Sequence, residues 1–143
     1  MTAKLHELLN RNHEELFSGG ACHIYAVELK NCWPELSIKH AGNADSIGPT
    51  KAMHVYAAVG DYKIDVRGPA NEAEYLESKN YVAWEVSVHE LMKIDPTRSS
   101  ANGPLNQWRH NLDPEFVSCA SERARRHIEQ RFPQWRLMLV SKQ

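Results

Sequence analysis

The chain has no long apolar run. Nothing in its 143 residues approaches the ~20 consecutive apolar residues that a helix needs to cross a bilayer. It has no excess of either charge: the formal net charge is −1, so no global field draws it to nucleic acid or anionic lipid. It has only three cysteines, Cys22, Cys32 and Cys119. Three cannot all pair, so free thiols in a reducing compartment are expected, not a disulfide framework. Low-complexity tracts and internal repeats are absent. The opening MTAKLHELLNRNHEELF is amphipathic and charged and lacks the apolar stretch of a signal peptide. The cytoplasm is therefore the expected location.

What is present is the balance of an ordinary globular protein, 42% apolar and 24% charged. The length suits one domain over residues 1–143 with one core. Leu5, Leu8, Leu9 and Leu16 share one face of a helix over residues 2–16, which Ser18-Gly19-Gly20 ends. A second helix is predicted from Cys22 to about Asn31, closed by Trp33-Pro34. Leu36–His40 alternates like a strand, and residues 41–50 read as a loop. Met53–Val59 and Tyr62–Val66 are strand-like runs joined by Gly60-Asp61, the pattern of a type II′ hairpin. Residues 71–79 are predicted helical with Asn71 as cap, Tyr81–Val88 a strand, and residues 95–104 a loop. Asp113-Pro114 opens a helix reaching about Arg131, and Trp135–Val140 reads as a last strand. The basic run Arg123–His127 falls in this helix with glutamates nearby and reads as a solvated face.

The hairpin carries the first chemical signal. With Gly60-Asp61 as the turn, Val59 faces Tyr62. Val55, Ala57, Val59, Tyr62, Ile64 and Val66 then form an apolar face assigned to the core. His54, Tyr56, Ala58, Lys63, Asp65 and Arg67 share the other face. Asp65 lies diagonal to His54, within reach of its ring. A carboxylate there can accept a hydrogen bond from one imidazole nitrogen and leave the other free as a base. Taken alone, such residues are commonly solvated decoration on an outer face.

The segment Ser18-Gly19-Gly20-Ala21-Cys22-His23 carries the second signal. Its glycines permit a tight backbone, and Cys22 falls at a helix N-terminus. The dipole and N–H groups there stabilise a thiolate and can serve an oxyanion hole. A free cysteine is otherwise a small hydrophobe; the two signals gain weight together.

A Gly-Gly-x-Cys helix start, a strand, a histidine opening a hairpin strand and an aspartate on its partner resemble the papain-like cysteine enzymes. The resemblance is to their transglutaminase-like arrangement, which includes the arylamine N-acetyltransferases. The resemblance covers roughly residues 15–70. It implies a papain-like α+β fold, an antiparallel sheet with packed helices and the nucleophile at a helix N-terminus. It also implies Cys22 as nucleophile, His54 as general base and then acid, and Asp65 as the residue orienting His54. The expected activity is thiol-dependent acyl transfer, by hydrolysis, deamidation or transamidation of an amide, isopeptide or thioester. The expected substrate is a protein, a peptide or a small amide, with no cofactor and no metal. The acetyltransferases carry arginine where this chain has Ser18, which argues against acetyl-coenzyme A. No glutamine precedes Cys22, so oxyanion donors must come from the backbone, Asn10 or Asn12. The alternative is a non-catalytic protein-interaction module on the same fold.

Several residues receive other assignments. His23 should point away from Cys22 on its helix. Cys22, Cys32, His54 and Asp65 are all zinc-ligand types, but their spacing fits no zinc pattern. His89-Glu90 lacks the second histidine of a zinc-protease helix. Trp33, Trp84, Trp108 and Trp135 read as core or groove aromatics, and Cys32 and Cys119 as buried and inert.

Overall fold

A computed structural model of the chain describes residues 1–18, 20–43, 54–92 and 113–141. Where one N-terminal helix is expected, there are two, α1 (Ala3–Leu9) and α2 (His13–Ser18). Asn12 divides them. Its side chain accepts from Glu15 N–H at 2.8 Å and donates to the Glu15 carboxylate at 2.9 Å. A local cap of that kind starts a new helix at the cost of the old one. Arg123 then ties the corner down by donating to the carbonyls of Leu9 and Arg11.

α3 (Cys22–Cys32) ends before Pro34 as predicted. Five strands follow in part, β1 (Ser37–Asn43), β2 (His54–Val59), β3 (Tyr62–Asp65), β4 (Gly68–Asn71) and, after helix α4 (Glu72–Lys79), β5 (Tyr81–Glu85). They form one antiparallel sheet in the order β4-β3-β2-β1-β5. Helices α5 (Val88–Met92) and α6 (Pro114–Ser141) complete the described elements. The chain is thus α+β. None of its described helices is long and apolar enough to cross a membrane.

The hairpin register is the expected one: Val59 pairs with Tyr62, Ala58 with Lys63 and Ala57 with Ile64. Gly60 has φ +55°, as the first position of a type II′ turn requires. Asn71 caps α4 by accepting from Glu74 N–H at 2.9 Å, and Asp113 caps α6 by accepting from Phe116 N–H at 3.1 Å.

Other expectations are corrected. β1 runs on through Ala41–Asn43, where a loop is expected, because these residues pair with β5. β5 stops at Glu85, and Val88 already belongs to α5. β4 is unforeseen, since Gly-Pro-Ala-Asn carries no strand signal. The remainder of the 41–50 loop, the 95–104 loop, Met53 and Trp108 lie outside the described residues.

The largest correction is α6, which continues through Pro133 to Ser141. A proline inside a helix costs about 3 kcal/mol. Here Phe116, Ala120, Ala124, Ile128, Phe132, Trp135 and Leu139 form one buried stripe against α3 and the sheet, and that burial outweighs the penalty. Trp135 is therefore a helical core residue, lying over Gly68. That glycine has φ +95°, and a Cβ there would come within 3.1 Å of the indole Nε1. Trp33 is also in the core, and Trp84 is half-buried against His40.

The core thus fills the space between α3, α6 and one face of the sheet, with Ala57, Ile64 and Val66 from the hairpin. The opposite face is not solvated. α4 covers it, and Tyr56, Ala58, Lys63 and Asp65 are buried there, with Tyr75 and Leu76 packed on the first two.

Candidate active site

Ala21 precedes α3 and makes no side-chain cap, so no side chain competes for the helix N-terminus at which Cys22 stands. The thiol is 5% exposed and packs beside Ala26, Ile38, Val55 and Leu91. β2 begins at His54, opposite Ala41 of β1. β3 ends at Asp65. These three positions converge at one end of the sheet.

His54 Nε2 lies 2.9 Å from Asp65 Oδ2. A carboxylate can only accept, so Nε2 donates. That leaves Nδ1 as the nitrogen able to serve the thiol, and His54 and Cys22 each shift the other's pKa. His54 is thus hydrogen-bonded to Asp65 at 2.9 Å and electrostatically linked to Cys22.

Two further bonds fix the carboxylate. Lys63 Nζ donates to the same Oδ2 at 2.6 Å, and the Arg67 backbone N–H donates to Oδ1 at 2.9 Å. Lys63 also lies over the Tyr75 ring, 4.3 Å from its centre. Tyr56 donates to Glu72 Oε2 at 2.6 Å, and Lys39 bonds the other oxygen of that carboxylate at 2.9 Å. The rings of Tyr56 and Tyr75 flank the His54 imidazole.

The electrostatics follow from these contacts. Burial alone pushes the Cys22 thiol up, but hydrogen bonds from His23 and His54, with their charge, bring it from 9.0 down to about 6. Burial pushes His54 down, and its bonds to Asp65 and Cys22 overcome this and raise it to about 9. Burial raises Asp65, while His54 and Lys63 hold it well below the carboxylate range. Near neutral pH the arrangement is thiolate, imidazolium and carboxylate. The basis is charge-assisted hydrogen bonding in a poorly solvated place.

The structure places His54 and Asp65 on one face as the hairpin register predicts, and sets Cys22 at the same end of the sheet. It corrects three other assignments. His23 does not turn out to solvent: it is fully buried and helps to lower the thiol's pKa. Cys32 and Cys119 are exposed, not buried. Cys32 also sits at the far end of α3, about 15 Å from Cys22 at 1.5 Å per residue, so the four zinc-ligand types do not assemble. Among the described residues no group of three such side chains is arranged around a metal position. Asn12 is engaged in its cap, and Asn10 lies exposed at the end of α1. Backbone N–H groups at the start of α3 are thus the oxyanion donors left to consider. Lys63 and Tyr75 are missed by the sequence reading. Lys63 had a signal, since residues two apart on a strand share a face. Tyr75 had none, because the packing of α4 is long-range. No protein-family model, curated protein or solved structure matches the chain.

Proposed function

We propose that the chain is a thiol-dependent acyl-transfer enzyme of papain-like type. The observation that carries this reading is the His54–Asp65 hydrogen bond at 2.9 Å, with a Cys22 thiol at the N-terminus of α3 whose pKa His54 draws down. A nucleophile opening a helix packed on an antiparallel sheet, with His and Asp from adjacent strands, supports the papain-like assignment.

In the proposed reaction the Cys22 thiolate attacks a carbonyl carbon, and the carbonyl π electrons move to oxygen. The tetrahedral intermediate collapses, the bond to the leaving nitrogen or sulfur breaks, and the His54 imidazolium gives that atom its proton. The acyl group is now a thioester on Cys22. Neutral His54 next takes a proton from water or an amine as that nucleophile attacks the thioester, and the thiolate leaves. Asp65 holds the ring orientation throughout. Hydrolysis, deamidation and transamidation share the first half. A protein, peptide or small amide is the substrate class.

A second reading has its own observation. A thiol only 5% exposed among Ala26, Ile38, Val55 and Leu91 also suits a non-catalytic interaction module in which the polar chain is structural.

Alkylation by iodoacetamide with peptide mapping separates the two. At pH 6 a thiol of pKa about 6 is half ionised, against about one part in a thousand for an ordinary one. The ~500-fold gain is reduced by the weaker nucleophilicity of a low-pKa thiolate, leaving roughly 20-fold. Cys22 should therefore label about an order of magnitude faster than the exposed Cys32, whose thiol burial pushes up, and faster than Cys119. His54→Ala should remove most of that advantage, with His23 and the helix terminus leaving a remainder. Asp65→Asn should weaken it less. Equal rates at all three cysteines, or a Cys22 that reacts only on unfolding, would end the enzymatic reading in favour of the module.

A further inference from the structure

Asp65 Oδ2 accepts two hydrogen bonds at once, from His54 Nε2 at 2.9 Å and from Lys63 Nζ at 2.6 Å. Lys63 is only 5% exposed and Asp65 only 4%. The lysine is thus held inside the fold on one atom, the atom that faces the imidazole. Salt and water screen such a contact little. We infer that Lys63 is a positioning residue which sets how strongly Asp65 holds the His54 proton. This rests on the acyl-transfer reading for its purpose, but not for its test.

The physical reason is a balance. A buried carboxylate bonded to imidazolium alone would hold the proton tightly, and a tightly held proton is poorly given to a leaving group. An ammonium on the same oxygen withdraws part of that attraction. Oδ1 is separately anchored by the Arg67 backbone N–H, so the carboxylate keeps its place without Lys63.

The surrounding groups leave this role to Lys63. Arg67 turns its guanidinium outward to Glu14 of α2 at 2.9 Å. Glu72 of α4 is taken by Tyr56 and by Lys39 of β1. From α3, Cys22 and His23 are buried, while Tyr25 hydrogen-bonds His127 of α6 at 2.7 Å. Tyr75 of α4, with Tyr81 of β5 against it, offers an aromatic face to the Lys63 ammonium. Among the described residues, Lys63 is the ammonium bonded to Asp65.

The test is a proton NMR titration of the His54 ring in the full chain, its signal assigned by its absence in His54→Ala. Lys63→Met should move the His54 midpoint upward by about one pH unit, the scale of one lost neighbouring charge. Lys63→Arg, which keeps the charge, should retain the wild-type midpoint. A purely structural lysine would lower stability in the methionine variant but would not raise the midpoint. A midpoint unmoved or lowered in Lys63→Met overturns the inference. Should that variant fail to fold, Lys63→Gln is read by the same criterion. The His54 signal titrates whether or not Cys22 reacts. A failed alkylation experiment therefore ends the acyl-transfer reading, and a failed titration ends only the role of Lys63.

Discussion

Ala57, Ile64 and Val66, on one face of the β2–β3 hairpin, join the core formed with α3 and α6. Tyr56, Lys63 and Asp65, on the other, lie on the side of α4. Both faces are dry, yet they are dry for different reasons. The first removes apolar area from water, which stabilises at roughly 25 cal/mol per Å². The second buries charges, and those are tolerable only because each meets an opposite partner: Lys63 and His54 share Asp65. Such a cluster adds little net stability compared with an apolar replacement. The difference implies that the first face holds the fold and the second holds a geometry.

Truncation should expose that contrast. Asp65→Ala leaves the buried Lys63 ammonium without its counter-charge, and losing one partner of a buried pair costs about 3–5 kcal/mol. Ile64→Ala, at a fully buried position, should cost about 2–5 kcal/mol through lost contacts and a cavity. His54→Ala should cost less than either, because Asp65 keeps Lys63 and the Arg67 N–H. Urea denaturation of the three variants gives the order. If His54→Ala proves the most damaging, the imidazole is a structural residue and the contrast between the faces collapses.

Gly68 tests where the two faces meet the long helix. Its φ of +95° is strained for any side chain, and a Cβ would press on Trp135. Gly68→Ala should cost about 1–3 kcal/mol and should change the near-ultraviolet signal of the tryptophans. An unchanged near-ultraviolet signal would mean that Trp135 does not lie on β4.

The parts of this arrangement legible in the sequence are those set by neighbours. The Gly60-Asp61 turn fixes the register, and the register puts His54 and Asp65 on one face with Ile64 and Val66 on the other. Asn71 and Asp113 announce their helices through caps that reach three residues ahead. What was not legible depends on distant partners. Pro133 reads as a break until the stripe from Phe116 to Leu139 has a surface to bury against. The hairpin's second face reads as solvated until α4 is known to cover it. His23 is misjudged for a related reason. A residue following Cys22 on a helix should diverge from it, yet His23 is fully buried and helps to hold the thiol's pKa down.

The smallest expected effect is also the most specific to the site, and it concerns stability against pH. Cys22 falls from 9.0 to about 6 on folding. Its contribution is fully present above pH 9 and is lost as pH falls through 6. His54 rises from 6.5 to about 9. Its contribution is fully present below pH 6.5 and is lost as pH rises through 9. Between about 6.5 and 9 the two slopes are opposite and each amounts to one proton, so they cancel. Folding in that window moves a proton from thiol to imidazole without net uptake. Burial holds His13, His40 and His127 low, so these add slope only below about pH 6.5. Asp65, held below the carboxylate range, contributes stability above pH 4 that disappears under more acid conditions. The urea midpoint should therefore stay level from pH 6.5 to 9, while the thiolate absorbance of the native protein has already appeared near pH 6. Cys22→Ala should tilt the plateau. His54, still raised by Asp65, then loses its contribution unopposed, and stability should fall with rising pH by about 1–2 kcal/mol over the window, at up to 1.36 kcal/mol per pH unit. A wild-type midpoint that climbs steadily from pH 6.5 to 9 would show the thiol losing its proton to solvent and not to His54. The two residues would then be neighbours on dry faces of one sheet end, without the shared proton that acyl transfer needs.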